Sequence, residues 1–287
     1  MYYGFRIFWK SYKGVSMYLI TGATGVVGRP LVELLRGEQV RAVSRSATEL
    51  PGAEVVSEPD FTGVGAVFLN PRAVGLDAVN LLASAQEHGV RKVVALAATN
   101  VDDPLDTQPS RFNGDRNREV EAAAIDSGLE WVSLRPTYFA INTEYSWGTQ
   151  IRHGDVVRAP FPNASEAPID PRDIAAVAAT ALTTDELLGQ KLVLTGPESL
   201  THVELVATIG RVLGRDLRFE AVPAEVAARA MVEHGHKPDF VQALMARYER
   251  EDGRPAQVSA DVEKALGRPA RSFAEWVADH ASLFERA

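Results

Sequence analysis

The run Thr21-Gly22-Ala23-Thr24-Gly25-Val26-Val27-Gly28 follows the apolar stretch Met17 to Ile20 and opens onto a helical pattern from Arg29. A strand, a glycine turn and a helix start, in that order, are what a dinucleotide pyrophosphate needs. Gly22 lets the strand end in a tight turn, Gly25 removes the side chain where backbone approaches phosphate, and Gly28 lets the helix pack closely. Backbone N–H groups at the helix start then face the anion. All of Gly22, Ala23, Thr24, Gly25, Val26, Val27 and Gly28 are therefore expected to bind the cofactor, and Pro30 suits the first turn of the helix.

Outward from this run the pattern alternates. Gln39 to Ser44, Glu54 to Ser57 and Ala66 to Leu69 read as strands two to four. A helix capped by Asp77, with Val79, Leu82 and Ala85 on its apolar face, runs to Gly89 and precedes the buried-looking run Val93 to Ala98. A helix from Arg118 to Asp126 and a strand from Trp131 to Leu134 complete the series. Alternating strands and helices imply a parallel sheet, here an α/β doubly wound Rossmann fold. Only Pro59 to Gly65 joins strands three and four, too short for a crossover helix. One sheet face is then thinly covered, a place for a second subunit of a homodimer or for the N-terminal extension.

The expected organisation is an extension over 1–16, a nucleotide-binding domain over 17–150 and a smaller C-terminal substrate lobe over 151–287. Part of 168–197, with a helix from Ile169 to Leu182 and a strand from Lys191 to Thr195, returns to the core sheet. Thr201 and Glu204 form a capping box for a helix through Val212, and another helix follows Pro223. Met17 is the expected natural start, because strand one begins beside it.

The chain of 287 residues carries a formal net charge of −8 and no cysteine. An acidic balance argues against direct nucleic-acid binding, which needs basic surface, and the absence of thiols removes thiol catalysis and disulfides. No apolar run is long enough for a membrane span, and Met1 to Ser16 lack the pattern of a signal peptide, so a cytoplasmic location is expected. His234-Gly235-His236 lacks a ligand partner at metal spacing, His88 suits the end of a helix, Asp102-Asp103 suits a turn, and no metal is expected.

The end of strand two chooses the cofactor. An acidic residue there holds the ribose hydroxyl of NAD, and a basic one accepts the 2'-phosphate of NADP. Here the sequence is Ser44-Arg45-Ser46, so Arg45 favours NADP(H) over NAD, set against the reading of Arg41 and Arg45 as ordinary strand-edge charges.

With TGATGVVG, VRAVSR, Asp60-Phe61, LRPTYFAIN over 134–142 and the segment Ile169 to Ala175, the chain resembles the NmrA-like group of atypical short-chain dehydrogenases from Met17 onward. The resemblance implies that the glycine loop binds diphosphate, that Arg45 faces the 2'-phosphate and that Asp60 with Phe61 approaches the adenine. It also implies that Asn70 and Pro71 pass over the adenosine side and that Thr137 and Tyr138 lie near the nicotinamide. Asp173 is expected to be a helix cap.

Standard short-chain dehydrogenases use a tyrosine proton donor and a lysine four residues later. Those positions here are Asn113 and Asn117, with Thr99 as the nearest hydroxyl after the preceding strand and Arg116 or Arg118 as the nearest cations. Thr99, Asn117 and Tyr138 are the remaining catalytic candidates. Tyr138, Phe139, Tyr145, Trp147 and Phe161 cluster after the cofactor strand and are read either as core or as an apolar wall for a flat aromatic substrate.

The expected function is NADPH-dependent reduction of an electron-poor aromatic or quinonoid small molecule, with tailoring of an aromatic polyketide as one setting. The alternative is a non-catalytic NADP(H)-sensing regulatory protein that binds a protein partner.

Overall fold

The computed structural model describes residues 17–46 and 49–286; the expected extension over 1–16 lies outside them. Strands β1 (Tyr18–Ile20), β2 (Val40–Val43), β3 (Glu54–Val56), β4 (Ala66–Leu69), β5 (Lys92–Leu96) and β6 (Glu130–Pro136) come first. They alternate with α1 (Gly28–Leu34), α2 (Pro71–Val74), α3 (Ala78–Glu87), α4 (Pro109–Phe112) and α5 (Asn117–Asp126). A π-helical turn at Glu144–Gly148 leads into α6 (Thr149–His153), β7 (Val156–Ala159), β8 (Ser165–Glu166), α7 (Pro171–Thr183) and β9 (Lys191–Leu194). The chain ends with β10 (Leu200–Thr201), α8 (His202–Leu213), β11 (Arg218–Ala221), α9 (Ala224–Glu233), α10 (Pro238–Glu251), α11 (Asp261–Leu266) and α12 (Phe273–Asp279).

The main sheet has the order β3-β2-β1-β4-β5-β6-β9, parallel throughout. Because successive residues of a strand point to opposite faces, Ile20, Phe68 and Val94 pack under α1 and α7. Leu19, Val67 and Val93 pack under α3 and α5. The strand order reverses between β1 and β4, so a ligand crevice opens at their carboxyl ends. No helix joins β3 to β4, as the short linker predicts; Phe61 and Val64 from that turn bury themselves in the α3 face instead. A third core, built on Trp147, Ile151, Leu205, Phe273 and Trp276, holds the C-terminal lobe together.

Lys92 begins β5 with its side chain fully buried. Its ammonium donates to the carbonyls of Ala181 (3.2 Å) and Thr184 (2.5 Å) and pairs with Asp185 (2.8 Å), which satisfies the open end of α7.

Three local expectations need correction. Asp77 makes no capping bond to α3; its carboxylate accepts from Asn80 Nδ2 at 2.9 Å. Val79 is 65% exposed, and Ala78, Leu81, Leu82 and Ala85 form the buried stripe. Asp173 is not the cap of α7, because Asp170 takes that role by accepting from the Arg172 amide. Asp173, fully buried, instead binds the guanidiniums of Arg268 and Arg271 and the Arg271 amide, pinning the C-terminal segment to the core. The Thr201–Glu204 capping box forms as read.

Candidate functional site

The crevice is built first by backbone. Thr21 Oγ1 donates to the Phe68 carbonyl at 2.9 Å and accepts from the Asn70 amide at 2.8 Å, tying the end of β1 to the end of β4. Gly22 then turns with φ +64°, in the left-handed region that glycine occupies without strain. A Cβ on Gly28 would lie 2.2 Å from the Gly22 carbonyl oxygen, so this glycine lets the helix close on the loop more than on the strand. A Cβ on Gly25 would meet only the Gly22 oxygen at 3.3 Å, so that face of the loop is open. Among the described residues the amides of Ala23, Thr24, Val26 and Val27 have no acceptor, and α1 has no side-chain cap. This loop fits a pyrophosphate: open donors, no side chain in the way, and a helix behind.

Past β2, Ser44 and Ser46 close a turn through their hydroxyls and leave Arg45 exposed, with no ion pair among the described residues. Arg41 is different, which corrects its reading as a strand-edge charge. It is buried, bonds Glu54 Oε2 (2.9 Å) and the Asp60 carbonyl (2.7 Å), and pairs with the Asp60 carboxylate (3.1 Å). Asp60 also accepts from the Thr62 amide, which with Arg41 holds its carboxyl below the ordinary value. Asp60 is thus committed to its own turn, and the Phe61 ring lies in the core 6.2 Å from that of His88. Asn70 caps α2, with Pro71 buried as its first residue.

On the other side of the crevice Thr99 donates its amide to the Pro136 carbonyl. Asn117 opens α5, buried, with Nδ2 donating to Ser110 Oγ at 3.2 Å. Asn113 is exposed at the end of α4. The two flanking guanidiniums bind backbone carbonyls: Arg116 those of Arg111 and Asp115, Arg118 those of Val101 and Asp103. Asp102 and Asp103 separate, Asp102 going to Arg135 at 2.7 Å. Thr137 Oγ1 donates to the Ala167 carbonyl at 2.9 Å, so its hydroxyl ties β6 to the returning chain.

The five aromatics do not form one wall. Phe139 packs on the nucleotide-domain core, Trp147 lies in the lobe core, and Tyr145 is 67% exposed. Phe161 faces Tyr248 at 6.4 Å. Tyr138 is buried near Tyr248, Glu166 and Ser146, and burial above all holds its phenol well above the ordinary value, so it stays neutral. Behind it lies a buried polar group that the sequence did not announce. Glu166, raised by burial to about 7, binds Arg247 at 2.6 Å, and Arg247 also reaches Glu251 at 3.1 Å. His202, lowered by burial to about 4, stacks edge-on against Tyr248 and Trp147. Another missed residue is Arg72, which makes a bidentate pair with Asp115 (2.8 and 3.2 Å), joining the loop after β4 to the segment before α5. Its only sequence signal is its place just after Asn70-Pro71. His234 Nδ1 donates to the Ala230 carbonyl, and His236 stacks on Phe240; among the described residues no cluster of metal-ligating side chains occurs.

A parallel sheet of this order, with a loop of open amides at its switch point, defines a dinucleotide-binding protein of the doubly wound class. The NAD(P)H-binding family model matches residues 22–185, and the chain belongs to that family. It is 38% identical to a (4-alkanoyl-5-oxo-2,5-dihydrofuran-3-yl)methyl phosphate reductase of Streptomyces griseus, over 93% of this chain and 99% of that one. It is 30% identical to an NAD(P)H azoreductase of Xenophilus azovorans, again over 93% and 99%. An NADPH-dependent quinone oxidoreductase of Escherichia coli, QOR2 complexed with NADPH, superposes with a TM-score of 0.76 at 22% identity, covering 92% of this chain and 100% of that one. The resemblance to the NmrA-like group and the Rossmann architecture are borne out. Among the described residues no helix is long and apolar enough to cross a membrane.

Proposed function

We propose that the chain is an NADPH-dependent reductase of an electron-poor aromatic or quinonoid small molecule, working without a tyrosine–lysine dyad. The reading rests on Asn117, a buried amide donating to Ser110 at the position that the sequence reading assigns to the family's lysine. A carboxamide neither ionises nor stabilises a phenolate, so the acceptor must be one whose reduced form holds its own negative charge. The names of the relatives point the same way: a furanone whose ring alkene is conjugated with two carbonyls on one of its carbons, and azo compounds, are both acceptors of that kind.

The open amides of Ala23, Thr24, Val26 and Val27 would hold the diphosphate, and Arg45, without an ion pair among the described residues, would meet the 2'-phosphate, which favours NADPH over NADH. NADPH when bound supplies hydride from its nicotinamide ring. The chain's own part is to hold the acceptor beside that ring and to exclude water. Tyr138, neutral and buried two residues past β6 with its hydroxyl bonded to Ser146, would turn that hydroxyl to an oxyanion there.

The experiment is fluorescence titration with NADPH, NADP, NADH and NAD, followed by quinones and dyes while NADPH absorbance is recorded. Oxidation that needs both protein and acceptor is expected. Tight binding that discriminates the redox states, with no oxidation by any acceptor, would overturn the reading in favour of a sensor. In the quinone assay, oxygen uptake would mark the polyketide-tailoring branch, and its absence removes that branch.

A further inference from the structure

Backbone fixes the place of the Tyr138 phenol. Two residues past β6, the Tyr138 carbonyl accepts from the Ile169 amide, and the Ala140 amide donates to the Ile169 carbonyl. The chain entering α7 thus holds Tyr138 at the carboxyl edge of the sheet. Among the described residues the polar side chains facing its phenol are Tyr248 and Arg247 of α10, Glu166 of β8 and Ser146 of the π-helical turn.

The first three offer the phenol no route to water. Both oxygens of Glu166 accept from Arg247 Nη2 (2.8 and 2.6 Å), and Arg247, which keeps its proton, is held between Glu166 and Glu251. Tyr248 is buried, with the His202 ring edge-on at 4.8 Å. Ser146 differs: its side chain bonds the phenol, and the residue is exposed.

The turn that carries Ser146 is pinned from both sides. Trp147 lies in the lobe core, its ring 5.4 Å from His202 and 6.3 Å from Phe219. Glu144 pairs with Arg152 at 2.9 Å, and Arg152 also donates to the Leu283 carbonyl at 2.7 Å. A Cβ on Gly148 would lie 3.0 Å from Arg152 Nη1 and Glu144 Oε1, so glycine lets this pair close against the turn. Such π-helical turns recur at functional sites. Here one leaves Ser146 in water while Trp147 goes into the core.

We propose that Ser146 is the positioning and proton-relay residue of the reductase site. It donates to the Tyr138 oxygen and refills it with a solvent proton as the phenol gives its own to the reduced acceptor. The inference rests on the reductase reading and adds the path of its proton. Each turnover takes one hydride, with its electron pair, from NADPH to the acceptor, leaving NADP, and one proton from solvent. The Tyr138 O–H bond breaks as an O–H bond forms on the acceptor oxyanion. The Ser146 O–H bond breaks as that of Tyr138 is restored, and solvent reprotonates Ser146. The chain itself is neither oxidised nor reduced. A hydrogen bond to the phenol oxygen also favours the charge that develops there, which makes Tyr138 the better donor.

The test joins NMR of the cofactor-free protein, with tyrosine isotopically labelled at Cζ, to turnover of menadione with NADPH. The Tyr138 signal, assigned by its loss in Tyr138→Phe, should move in Ser146→Ala and return toward its parent position in Ser146→Thr. Ser146→Ala should lower kcat about tenfold, with each KM within about twofold, and its solvent isotope effect should rise. Ser146→Thr should recover most of the rate. Adding Ser146→Ala to Tyr138→Phe should cost nothing further. An unmoved Tyr138 signal, an unchanged kcat in Ser146→Ala, or losses that multiply in the double variant overturns the relay. Failure of the parent protein to oxidise NADPH with any acceptor is a different result. It overturns the reductase reading, while the NMR shift reports the bond between Tyr138 and Ser146 without turnover.

Discussion

Asn70 fills the space that Gly22 leaves: a Cβ on Gly22 would lie 2.8 Å from Asn70 Cβ and Cγ. The same Asn70 caps α2 through its side chain and donates its amide to Thr21. Gly22→Ala should therefore strain a left-handed backbone and displace the cap, destabilising the fold by about 1–3 kcal/mol. NADPH affinity should fall more than about tenfold as the open amides shift. Thermal denaturation and fluorescence titration check the pair, and an unchanged affinity would refute the role of this contact.

Arg45→Asp removes a guanidinium that sits just past β2 with no carboxylate partner among the described residues. NADPH binding should weaken by about tenfold or more while NADH binding holds or improves. If the preference for NADPH survives, the 2'-phosphate is held elsewhere.

Asn117→Ala should remove a bond to Ser110 and little chemistry. Turnover of a quinone with NADPH is expected to stay within a few fold. A loss of about a hundredfold, the scale of a positioned acid–base group, would show that the amide takes part.

Glu166 and His202 oppose one another in their pH dependence. Glu166, raised in the fold from 4.5 to about 7, holds more protons folded than unfolded, so its contribution declines as pH rises across that range. His202, lowered from 6.5 to about 4, holds fewer, so its contribution is lost as pH falls from 6.5 to 4. Relative to the parent protein, Glu166→Gln should gain melting temperature as pH rises from about 4.5 to 7. His202→Gln should lose it as pH rises from about 4 to 6.5. Parallel curves for parent and variants would show that neither group titrates in the folded protein with the assigned shift.

The strands of the sheet and the glycine loop were legible because periodicity and turn residues are local. Ala66 to Leu69 reads as a strand and is one, and Thr201 with Glu204 reads as a capping box and forms one. What escaped depends on partners far along the chain. Asp173 looks like a cap until Arg268 and Arg271 arrive from 95 and 98 residues away. Arg41 looks like a surface charge until the turn after β3 wraps it with Asp60. The aromatics after β6 are close in sequence, but the π-helical turn and the following elements send them to different cores. Lys237 reaches the Phe112 carbonyl from 125 residues away, and nothing in either segment announces the other.

Lys92 gives the fold an internal witness. Its amine is sealed between a central strand and the end of α7, so an acylating reagent should mark it only when the sheet itself opens. Exposed amines such as that of Lys237 should label at once, leaving the slow modification of Lys92 as a clock for global unfolding that ignores every frayed end and loop.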